Sequence, residues 1–78
     1  MFPSYIAILS AIRDRGECTL DQLYSVTDIR GETLRYICNY LTEQGYIYTV
    51  TSRIFSITPV GETIVGKAAV EMMAEEND

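Results

Sequence analysis

The chain reads as a mainly α fold carrying one small β-hairpin (α+β), in the order helix, helix, helix, hairpin, helix. Three observations predict it. Leu34, Ile37, Cys38 and Leu41 recur at offsets of three, four and seven, the spacing of one buried helical stripe. Gly45 follows where a helix end needs a residue that tolerates a left-handed backbone. Two short runs rich in β-branched and aromatic residues come next, over 46–50 and 53–58, with a tight turn expected at Thr51-Ser52.

The first helix is predicted over about 3–15. Pro3 suits a first helical turn, where its missing N–H would have had no partner anyway. Tyr5, Ile8, Leu9 and Ile12 form its inward stripe, and Gly16 ends it. Phe2 and Ile6 widen the apolar face, which fits packing against the last helix or against a second copy. Glu17-Cys18 reads as a connector. Thr19 is expected to cap a short second helix over 20–25, because its hydroxyl can accept a free N–H of the first turn. Leu20, Leu23 and Tyr24 are expected to face inward, and residues 26–29 to turn into the third helix with Ile29 plugging the core. After the hairpin, Pro59 stops the strand and Thr58 can cap a fourth helix over about 60–74. Ile64, Val65, Ala68 and Met72 lie on one side of that helix, with Val70 and Met73 partly off the stripe. The expected organisation is one domain over 1–74 and a solvated acidic tail over 75–78.

Composition narrows the function. At 78 residues there is room for one domain, and so short a chain buries only a modest fraction of its surface. With no histidine, most triads, general-base schemes and zinc sites lose their usual participant. The expectation is a non-enzymatic protein without cofactor or metal. Two cysteines make no disulfide framework, and the apolar run 5–12 is too short to span a bilayer, which points to a cytoplasmic protein. The net charge of −5 runs against a nucleic-acid binder, but its distribution does not. The block 1–28 carries −2, 29–58 carries +1, 59–70 is neutral, and 71–78 carries −4. The third helix and hairpin are the only net-positive block.

Three stretches carry a resemblance. Cys18-Thr19-Leu20-Asp21-Gln22-Leu23 looks like the start of the second helix in winged helix-turn-helix regulators. Thr33-Leu34-Arg35, continuing through Leu41-Thr42-Glu43-Gln44-Gly45-Tyr46-Ile47, looks like their recognition helix and its lead into the wing. Ile57-Thr58-Pro59-Val60-Gly61 resembles the Leu-Thr-Pro-x-Gly that opens their last helix. In order and spacing these segments resemble the small prokaryotic regulators of the MarR and PadR families. The resemblance implies a third helix in the major groove and a hairpin wing on the DNA backbone. Carried over by position, Thr33, Arg35, Tyr36, Asn39 and Tyr40 would face double-stranded DNA, with Arg53 at the wing. Arg30 stands where these families often place a serine or threonine cap, and two tyrosines stand where lysine or arginine is more usual.

Read residue by residue, Arg30 and Arg35 can pair with phosphates or read a guanine edge, or else pair with Glu32. Asn39 can contact adenine or a phosphate, or stand solvated. Tyr36 and Tyr40, one turn apart, would form an aromatic ridge with the composition of a protein-binding hot spot. Cys38 reads as a buried structural thiol, and Cys18, in its connector, as an exposed one. The leading expectation is a DNA-binding transcriptional regulator, dimeric through its first and last helices. The alternative is a protein-interaction module that docks a partner on the Tyr36/Tyr40 face without touching DNA.

Overall fold

Four helices and a three-stranded antiparallel sheet surround one apolar core in the computed structural model, which describes the backbone of residues 2–76 and the side chains of 2–71. The elements are α1 (Pro3–Arg15), β1 (Glu17–Thr19), α2 (Leu20–Thr27), α3 (Gly31–Glu43), β2 (Ile47–Thr51), β3 (Ile54–Ile57) and α4 (Pro59–Glu76). Their order bears out helix, helix, helix, hairpin, helix, with one strand added. The expectations for Met72 and Met73 side chains and for Asn77 and Asp78 lie outside the described residues, while the helical backbone runs on through Glu75 and Glu76.

The predicted stripes supply the core. Ile8, Leu9 and Ile12 of α1 meet Leu23 of α2 and all four stripe residues of α3, closed off by Ile47, Phe55 and Val65. Tyr5 and Ile29 pack against this cluster at its edge. Gly16 ends α1 in the left-handed region, at φ 83°, and Gly45 turns the chain out of α3 at φ 80°. Thr19 caps α2 in a reciprocal box: the Gln22 N–H donates to Thr19 Oγ1 at 3.1 Å, and the Thr19 N–H donates to Gln22 Oε1 at 2.9 Å.

The structure corrects four expectations. Glu17-Cys18 is not a connector: with Thr19 it forms β1, which pairs antiparallel with β3 (Cys18 opposite Phe55) in a sheet ordered β1-β3-β2. The hairpin alone would leave the outer edge of β3 unpaired, and buried backbone groups require partners. Cys18 is consequently fully buried, and its thiol donates to the Ala11 carbonyl at 3.6 Å. Tyr24 points outward, 48% exposed, because Leu20 and Leu23 supply the inward face of α2, which also runs two residues further than expected. Asp28 then stops α2 in the left-handed region, its N–H donating to the Tyr24 carbonyl. The hairpin turn falls at Ser52-Arg53 instead of Thr51-Ser52. A bulge causes the shift: Thr49 pairs with Phe55 and Thr51 with Ile54, leaving Val50 as the extra residue.

Thr58 joins the two halves of the chain. Its N–H donates to the Tyr46 carbonyl at 3.0 Å, its hydroxyl lies 2.6 Å from the Gly45 carbonyl, and its oxygen accepts the Gly61 N–H at 3.1 Å. This is the cap expected for the fourth helix, and it also fixes α4 against the turn that leaves α3.

Candidate nucleic-acid interface

Helix α3 presents two flanks, and they are chemically different. One faces the hairpin across a cleft of about 680 Å³. Arg35 and Asn39, one turn apart on α3, form one wall. Thr49, Ser52 and Arg53 of the hairpin form the other, and residues 19–21 at the start of α2 close the end. Half-buried Leu20 and buried Phe55 give the cleft an apolar lining between these polar groups.

The charge in this cleft is Arg35 and Arg53 against Asp21. Neither arginine is in an ion pair among the described residues. The one ion pair among the described residues joins Arg13 to Asp14 at 3.2 Å, so the pairing of Arg30 or Arg35 with Glu32 that the sequence allowed is not formed. The amides of Leu20 and Asp21 begin α2, at the positively polarised end of a helix. Two guanidinium groups, a helix N-terminus, a carboxamide and several hydroxyls thus converge on one concave surface. Those are the donor types that hold phosphate oxygens.

The other flank of α3 carries Tyr36 and Tyr40, which face α1 rather than the hairpin. With Phe2 and Tyr5 they line a second cleft of about 690 Å³. Of the residues named from sequence, the structure therefore gathers Arg35, Asn39 and Arg53 into one cleft and Tyr36 and Tyr40 into another. Arg30 and Thr33 are exposed near the start of α3 and line neither. Arg30 occupies the N-cap position without a side-chain cap bond; its carbonyl accepts the Leu34 N–H at 2.8 Å. Sequence reasoning did not name Asp21, Thr49 and Ser52 for the first cleft, nor Phe2 and Tyr5 for the second. The bulge decides where the hairpin side chains fall, and α1–α3 packing decides the aromatic group; neither is a local signal.

The two thiols play no part in either cleft. Burial pushes the Cys38 thiol up from 9.0 to about 11. Burial also raises Cys18, with the positive charge of Arg15 partly opposing it. Among the described residues no group of three histidine, cysteine, aspartate or glutamate side chains is placed to hold a metal, and no helix is long and apolar enough to cross a membrane.

A helix-turn-helix followed by a hairpin and a closing helix, with a short strand completing the sheet, is the winged-helix fold. Among solved structures the chain is similar to BpsR of Bordetella bronchiseptica, a protein whose DNA binding is regulated by 6-hydroxynicotinic acid. The match has a TM-score of 0.86 at 21% identity and covers 97% of this chain. The chain spans 59% of the length of that structure. No protein-family model matches the sequence, and no curated protein matches it.

Proposed function

We propose that the protein is a DNA-binding transcriptional regulator, similar to the small MarR and PadR regulators, that works as a homodimer. In this reading α3 enters the major groove, the hairpin wing lies on the backbone, and Arg35, Asn39 and Arg53 make the principal contacts. The observation that carries it is the cleft between α3 and the hairpin, where two arginines that form no ion pair among the described residues share a lining with the N-terminus of α2. The winged-helix fold, shared with a structure whose protein binds DNA, supports the same reading. Arg30, Thr33, Tyr36 and Tyr40 are proposed as flanking contacts on the same helix.

Dimerisation follows from energetics. Arg30, Arg35 and Arg53 offer about three phosphate contacts per protomer, and appreciable affinity needs about twice that number. Linking two modules makes the second half-site contact intramolecular. Helix α4 supplies the surface. Its apolar residues (Val60, Ile64, Val65, Ala68, Ala69 and Val70) are spread around the helix, a pattern that calls for burial on more than one side. Within the chain α4 packs chiefly on α1, and Val60 and Val70 stay exposed.

The deciding experiment is fluorescence anisotropy with random-sequence duplex DNA at low and moderate salt. The expected result is binding that weakens steeply with salt, with Arg35→Ala and Arg53→Ala each reducing the slope of log K against log salt by about 1. A folded protein that fails to bind at low salt refutes the reading.

A further inference from the structure

We propose that the groove between α1 and α4 seats the α4 helix of a second copy of this chain, running antiparallel, with Lys67 of each protomer paired to Glu71 of the partner subunit. This pairing rests on the homodimer reading above and gives it an orientation and a register. The groove has a volume of about 310 Å³ and is lined by Ile6 of α1 and by Ile64, Lys67, Ala68 and Glu71 of α4. Ile6, Ile64 and Ala68 are half-buried, while Lys67 and Glu71 stand exposed beside them. Val60, Ile64, Lys67 and Glu71 recur at offsets of four, three and four, which makes them one seam along α4. That is the spacing by which two helices pack side by side. Within the chain Val65 is buried in the core, but Val60 on the seam is 54% exposed and Val70 beside it 66% exposed.

Charge selects the orientation. Lys67 and Glu71 lie one turn apart, and neither is in an ion pair among the described residues. Lysine before glutamate is also the less favourable order for pairing within one helix. In a twofold dimer the contact between two copies of α4 is made by the same patch on both. Parallel helices in register would set Lys67 against the partner's Lys67 and Glu71 against the partner's Glu71, and like charges facing one another select against that arrangement. Antiparallel helices crossing at the height of Ala69 set Lys67 against the partner's Glu71, and the twofold axis repeats the contact. One lysine and one glutamate thus serve both halves of the interface.

Sedimentation equilibrium of the intact protein tests the register, at about 0.15 M salt so that charges more than about 8 Å apart are screened. Lys67→Glu and Glu71→Lys, each alone, put like charges at both contacts and should weaken the dimer about tenfold, with helicity by circular dichroism unchanged. Mixed in equal amounts, the two variants regain both contacts, and the dimer should return to within about twofold of its original affinity. An ion pair inside one helix, the ordinary role of residues four apart, gives no recovery on mixing. Glu62→Lys carries the same charge change off the seam, and in place of Glu71→Lys it should not restore the dimer. If the unsubstituted chain dimerises, three results overturn the register while leaving the dimer standing: either single variant unchanged, a mixture no stronger than its components, or equal recovery with Glu62→Lys. A monomeric unsubstituted chain overturns both.

Discussion

Gly61 shows how one hydrogen atom can decide a junction. A Cβ there would collide with the Tyr46 carbonyl and come within 2.8 Å of Ile57 Cγ1. Backbone cannot move aside as a flexible side-chain end can, so Gly61→Ala is expected to destabilise the fold by about 1–3 kcal/mol, read from urea denaturation. The Pro-x-Gly that opens α4 is thus explained by close approach. Cys38 offers a second test at this scale. Its folded thiol titrates at about 11 against 9.0 ordinarily, so in the window between them the unfolded chain loses a proton that the folded chain keeps. Stability is complete below the ordinary value and falls as pH rises through the folded one. Comparing urea midpoints near neutrality and at about pH 10 should show a larger loss for the native sequence than for Cys38→Ala.

Among the elements, α2 depends most on its ends. It has eight residues, too few to hold a helix by propensity, and the Thr19/Gln22 box satisfies its first turn. Thr19→Ala removes that acceptor and should cost about 1 kcal/mol in the same assay. Because Thr19 also ends β1, opposite Ile54, its loss should disturb one end of the α3–hairpin cleft as well. The helices were legible because α1, α2 and α3 carry an inward apolar stripe and every helix has a glycine, proline or threonine at a boundary. Strand β1 was not. Three residues are too few to show alternation, and its partner lies far along the chain at Ile54 to Ser56.

For the whole molecule, the principal extents are 42 × 25 × 20 Å, and α4, at 18 residues, spans about 27 Å of helix. The proposed dimer would cover its exposed apolar side. Sedimentation equilibrium should find a dimer, and Val70→Glu, at a position 66% exposed in the single chain, should shift it towards monomer with helicity retained. A dimer unaffected by Val70→Glu would place the interface elsewhere. DNA affinity should fall with the same substitution, since half-site contacts would no longer be linked.

Periodicity and punctuation determined the helices, the presence of the hairpin and most of the core, because those signals are local and repeat along the chain. Leu34, Ile37, Cys38 and Leu41 are all buried as their spacing required, and Thr58 caps α4 as its position suggested. What only the tertiary structure decided is which distant residues share a surface. Tyr36 and Tyr40 sit on the same helix as Arg35 and Asn39, yet α1 claims one pair and the hairpin the other. Adjacent faces of one helix have different neighbours, and those neighbours are chosen by packing between segments dozens of residues apart.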